Sequence, residues 1–120
     1  MAHDVIDLDD VLERVQDDWE LLMELFDIFE QDYQEKRTQL AQEVAKKDFD
    51  QIRNIAHSLK GASGNISAKA FHAILLEMEQ AAVKKDEAAI QGLCRQLDVQ
   101  FPELQKAIVK VKEDYQKSQE

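Results

Sequence analysis

Residues 48–66 read DFDQIRNIAHSLKGASGNI, and the order of apolar and polar positions within them decides the fold. Ile52, Ile55, Leu59, Ala62 and Ile66 recur at intervals of three and four. Projected at about 100° per residue, they fall within a sector of roughly 80°, the apolar stripe of a core-facing helix. Asp48 is placed to cap the start, with Gln51 in the reciprocal capping-box position, and Gly64-Asn65 is a stop signal. On the same projection His57 lies about 180° from the centre of the stripe. Gly61 and Gly64 fall within about 40° of His57, and Arg53 and Lys60 within about 60°. This stretch therefore predicts a helix with an imidazole on its outward side.

The flanking sequence repeats the helical pattern. A short first helix is expected over Ile6–Val15, capped by Asp7, with Leu8, Val11, Leu12 and Val15 as its stripe. Asp17 and Glu20 form a capping-box pattern that opens a long second helix, from about Asp18 to Lys47. Its buried side is Trp19, Leu22, Met23, Phe26, Phe29 and Tyr33, continued by Leu40 and Val44. After residue 66, Ser67 is expected to cap a fourth helix burying Phe71, Ile74, Leu75, Met78 and Ala82, with Lys84-Lys85 in its last turn. Asp86 caps a fifth, whose stripe runs through Ile90, Leu93, Cys94 and Leu97, then Phe101, Leu104, Ile108 and Val109. Pro102 predicts a kink or break in that helix. Short connections between amphipathic helices favour antiparallel neighbours. The expected architecture is all-α: an antiparallel up-down four-helix bundle with a short additional N-terminal helix. It forms a single domain over residues 1–120, with a core over about 6–112 and fraying at the C-terminal end.

Composition agrees with that architecture. The chain of 120 residues is long enough for one core, and its three Gly and one Pro leave few turn signals. The net charge of −10 argues against nucleic acid and anionic membrane surfaces as partners. A partner with an acidic pocket would instead need a contact face that is locally neutral or basic. The single cysteine, Cys94, excludes an internal disulfide or a cysteine-based zinc site, and its apolar neighbours suit a buried, inert thiol. There is no signal-peptide pattern, and no apolar run approaches the roughly 20 residues of a membrane span. A cytoplasmic location is expected.

The outward face of the third helix carries the chemistry. A histidine standing alone is most often structural or merely solvated. Here two glycines that each cost up to about 1 kcal/mol in a helix lie beside it, which suits the close approach of a partner. Neutral imidazole is nucleophilic and titrates near pH 6.5. Lys60, one turn on, can draw in an anionic phosphoryl group and offset its charge. Arg53, one turn back, can do the same or meet an acidic partner, or can be a plain solvated charge.

Ala56-His57-Ser58-Leu59-Lys60-Gly61-Ala62-Ser63 closely resembles the signature of the histidine-containing phosphotransfer (HPt) domains of bacterial phosphorelays. Asn65-Ile66 followed by Ala68, the segment Leu76-Glu77-Met78-Glu79, the helix around Leu25–Phe29 and the start at Asp48 extend the likeness over roughly residues 6–112. The resemblance implies phosphorylation of His57 on its solvent-facing nitrogen, with Lys60 stabilising the phosphoryl group and Gly61 leaving space for a partner. That partner would be a response-regulator receiver domain carrying an aspartate and Mg²⁺, or a sensor histidine kinase. Gly64, Arg53 and Ser58 complete the expected docking face. Glu79 matches the position that orients the histidine in many relatives, and Gln80 projects away from the pocket on a helical count. The alternative for Glu79 is an ordinary exposed helix charge. Ser67 stands where the family usually has Gly.

The resulting expectation is a phosphoryl carrier, most simply monomeric, that binds no cofactor or metal of its own and has no ATP site. A helical adaptor of the same fold that carries no phosphate is the alternative. A metal-binding bundle is disfavoured, because no Glu-x-x-His spacing occurs. His72 lacks a glycine or cationic neighbour in the sequence pattern, and His3 falls in a terminus expected to be mobile.

Overall fold

The structure, a computed structural model, describes residues 5–119, and within them it is helical with no strands. The helices are α1 (Leu8–Arg14), α2 (Trp19–Lys46), α3 (Phe49–Asn65), α4 (Lys69–Val83) and α5 (Glu87–Gln119). Each of α2 to α5 packs on its sequence neighbour, and α5 closes the ring against α2. Cross-helix partners fix the directions. Asp27 with Lys112, Arg37 with Asp98 and Lys47 with Glu87 run oppositely along α2 and α5. His57 with Glu79 and Gly64 with His72 do the same for α3 and α4. The expected antiparallel up-down bundle with an added N-terminal helix is the architecture found.

The stripes read from the sequence form the core. Leu22, Phe26, Phe29, Tyr33 and Leu40 of α2 meet Ile52, Ile55 and Leu59 of α3, Phe71, Leu75 and Met78 of α4, and Ile90, Leu97, Leu104 and Ile108 of α5. Burial at this scale, at about 25 cal/mol per Å² of apolar surface, is the main force holding the ring together. Aromatic rings from three helices interlock at its centre, with Tyr33 on Phe101 at 4.3 Å and on the edge of Phe71 at 5.1 Å.

α3 and α4 are much shorter than α2 and α5, so the longer pair extends past them. α1 occupies that end, burying Val11 together with the flanking Ile6 and Val15. It is fastened to the α3–α4 turn by polar bonds. The Asp7 backbone N–H donates to the Ser67 carbonyl at 3.0 Å, and the Ser67 hydroxyl donates to Asp10 Oδ2 at 2.6 Å. Lys69 Nζ reaches Asp7 Oδ2 at 2.8 Å.

Several local expectations are corrected. The cap of α2 is Asp18, whose carboxylate accepts from the Leu21 N–H, while Asp17 sits one residue earlier with φ 59°. Ser67 does not cap α4: it takes φ 56°, Ala68 is the N-cap, and no side chain caps that helix. The left-handed backbone explains why a glycine suits this position, and the serine holds it with its hydroxyl turned onto α1. Lys84 and Lys85 lie just beyond α4 rather than in its last turn. Val109 is exposed, and the buried stripe of α5 passes instead through Ala107, Ile108 and Val111. Of the kink or break expected at Pro102, the break does not occur: α5 runs on through it, with buried Leu97 before it and Leu104 after it on the same core. It also continues past residue 112 to Gln119, with Tyr115 stacked on Trp19 at 5.4 Å. Asp48 and Asp86 cap α3 and α5 as expected. His3 lies outside the described residues.

Every turn between these helices contains a left-handed residue, and none of them is glycine. They are Gln16 and Asp17, Lys47, Ser67, and Lys85. The glycines at 61, 64 and 92 all lie inside helices with negative φ. The chain thus omits glycine where backbone geometry favours it and keeps it where helical propensity disfavours it.

Candidate functional site

α3 presents its apolar stripe inward as projected, and the His57 side chain is 69% exposed on the opposite side. α4 runs antiparallel beside it and brings Glu79 alongside. His57 Nδ1 lies 2.6 Å from Glu79 Oε2, and Lys60 Nζ donates to Glu79 Oε1 at 2.7 Å. One carboxylate therefore bridges the imidazole and the ammonium. Glu79 is only 19% exposed at its side chain and Lys60 only 21%.

The carboxylate decides the state of the ring. Its pKa is lowered, chiefly by the hydrogen bond from Lys60, against the opposing effect of burial, with the hydrogen bond from His57 adding to the lowering. An ionised carboxylate only accepts hydrogen bonds, so Nδ1 must carry the proton. In the neutral ring Nε2 then holds the free lone pair. The nitrogen available for nucleophilic attack is the one facing away from Glu79.

The neighbourhood is an open groove of about 520 Å³ between α3 and α4. It is lined by Arg53, Asn54 and His57 from α3 and by Leu76, Glu79, Gln80 and Val83 from α4. Leu76 and Val83 are exposed apolar side chains. Arg53 is balanced by Glu79 within the groove lining, and Lys60 adjoins them, so the cations and anions around His57 are two to one in a chain of net charge −10.

The expected site residues divide as follows. His57, Lys60 and Glu79 form one bonded cluster, with Arg53 in the adjoining groove and Ser58 exposed on the same helix. Gly61 is open: a Cβ built there meets nothing within 4 Å. Gly64 is half-buried, and a Cβ there would touch His72 Cδ2 at 3.6 Å. His72 thus does have a glycine neighbour, together with Arg14 and Lys69 around a small cavity, because α4 folds back over the end of α3. Gln80 lines the groove, contrary to the helical count. Positions 76, 79, 80 and 83 form one face of α4 (i, i+3, i+4, i+7), and the neighbouring helix makes that whole face a wall. Leu76 and Val83 went unnoticed as site residues; their signal was an apolar pair seven apart on that face. Among the described residues, no group of three or more His, Cys, Asp or Glu is arranged to hold a metal ion. Among the same residues, no helix is long and apolar enough to cross a membrane.

A family model for the Hpt domain matches residues 24–114, well over half of the chain. The chain belongs to the Hpt domain family, whose members are phosphoryl carriers of two-component signalling. Comparison with curated proteins and with solved structures returned no match.

Proposed function

We propose that His57 is the phosphoryl acceptor of this chain and exchanges the group with aspartates of response-regulator receiver domains. The bond between Nδ1 and Glu79 carries this reading, since it leaves Nε2 as the outward nucleophile. In the forward step the Nε2 lone pair attacks phosphorus in a partner's aspartyl phosphate. The N–P bond forms, the P–O bond to the aspartate breaks, and its electrons return to the partner's carboxylate. The ring then bears positive charge, which the Glu79 carboxylate stabilises through Nδ1–H. Lys60, held beside the same carboxylate, offers its ammonium to the phosphoryl oxygens. The reverse step returns the group to a second aspartate.

The docking face comprises Gly61, Gly64, Arg53 and Ser58, with the groove residues beside them. Its local positive balance suits a receiver whose phosphorylation pocket is acidic, with Mg²⁺ held by that partner rather than by this chain. A sensor kinase is the other source of phosphate. The protein acts as a monomeric cytoplasmic carrier with no cofactor of its own and no phosphoryl chemistry independent of a partner. Incubation with a labelled phospho-receiver should transfer acid-labile label to the chain. The His57→Gln variant should take up none, and undiminished labelling of that variant would defeat the assignment.

A further inference from the structure

The charge of this chain is unevenly placed. Residues 1–35 hold thirteen of the 25 acidic residues and one of the 15 basic ones, a net −12; residues 36–120 hold the other twelve and fourteen, a net +2. The acid therefore belongs to α1 and the first half of α2, outside the phosphoryl site. Along that half of α2, Leu21, Glu24, Ile28, Gln31 and Glu35 follow at intervals of three and four, the spacing of a single helix face. All five are exposed, on a flank turned away from the buried Leu22, Phe26, Phe29 and Tyr33. Leu21 and Ile28 are 41% and 62% exposed, so no helix of the fold covers them. Asp7, Asp10, Asp27 and Asp32 are paired with cations. Among the described residues, Glu24 and Glu35 have no such partner.

Charge and spacing select the occupant of this face. Nucleic acid, an anionic membrane or a second copy joined through the same face would each bring negative charge to it. A metal ion would leave the apolar pair uncovered, and among the described residues no donor cluster is arranged to hold one. Leu21 and Ile28 stand seven residues apart, about 10.5 Å along the axis. A second helix laid beside α2 repeats its own side chains at that distance, whereas a strand repeats on one face at about 6.7 and 13 Å.

We propose that this face of α2 docks a basic amphipathic helix of a partner protein, separately from the phosphoryl site. Apolar side chains of that helix cover Leu21 and Ile28, and Lys or Arg between them meet Glu24 and Glu35. The probe is a fluorescein-labelled, alanine-based peptide of about 20 residues with Leu and Lys alternating at three-four spacing along one face. Fluorescence anisotropy should show saturable binding that weakens about fivefold between about 0.05 and 0.5 M salt. A peptide of the same composition, with Leu and Lys scattered around the helix, should bind about tenfold more weakly, the scale of one buried apolar side chain. Ile28→Gln removes an apolar contact and Glu24→Lys reverses a charge; each should weaken the patterned peptide about tenfold. Both variants should keep the parent's melting temperature and label uptake on His57. Equal binding of the scattered peptide would reduce the face to bulk charge and overturn the proposal, as would undiminished binding by either variant. Loss of label uptake in these variants would make the face part of the phosphoryl docking surface and overturn its separateness.

Discussion

Replacing Gly61 by alanine separates what the fold needs from what a partner needs. Gly61 lies inside α3 with negative φ, and an added Cβ meets nothing within 4 Å. The fold therefore loses no contact and suffers no overlap. Alanine is favoured over glycine in a helix by about 0.8–1.0 kcal/mol, so the variant should be more stable by about that amount. For a domain of this size the melting temperature should rise by about 4 °C. Docking should respond oppositely. A methyl inserted into a closely packed interface costs about 1–3 kcal/mol, so transfer from a phospho-receiver should slow by about five- to 150-fold, and Gly61→Leu should slow it further. Thermal unfolding and the initial rate of label transfer measure the two effects on the same sample. A less stable alanine variant would refute the claim of open space. A more stable variant whose transfer is unchanged even with leucine would refute the claim that this position is reserved for a partner.

Glu79→Ala should leave the fold intact but lower the rate of phosphoryl uptake about ten- to a hundredfold, the scale of a hydrogen bond to a charged group. Glu79→Gln should recover part of that loss, because its amide oxygen still accepts from Nδ1–H; equal rates for both variants would contradict the orienting role. Lys85→Gly relieves a left-handed residue at φ 57° and should stabilise the protein by about 0.5–1 kcal/mol in urea unfolding, after the extra freedom of glycine in the unfolded chain is counted. Asp10 has its pKa lowered, first by the Ser67 hydroxyl and then by Arg14. A carboxyl with a depressed folded pKa contributes stability above its ordinary value of about 4 and loses it as pH falls through the folded value. Asp10→Asn should therefore be less stable than the parent at pH 7, and urea unfolding should show the difference shrinking in acid.

Much of this molecule is legible in residues 48–66, because a helix imposes one rigid angular relation on its side chains. That relation told which way Ile52, Leu59 and His57 point before any neighbour was placed. The same reasoning failed where a position depends on a second element. Gln80 seemed to project away because a single cylinder has no neighbour to turn its flank into a wall. Ser67 looked like a helix cap because serine commonly is one, whereas α1 draws its hydroxyl across the turn to Asp10. Pro102 promised a kink or break, and packing around Phe101, Leu97 and Leu104 keeps the helix from breaking there.

By itself, the sequence determined the number and order of the helices, their buried stripes and the outward setting of His57, all consequences of local periodicity. Only the tertiary structure decided which ring nitrogen is free, because that depends on Glu79 arriving from α4 at 2.6 Å. It also decided that Lys60 shares that carboxylate and that Gly61 is open while Gly64 faces His72. Each of these is a relation between helices, set by how their ridges pack rather than by the spacing of residues along any one of them.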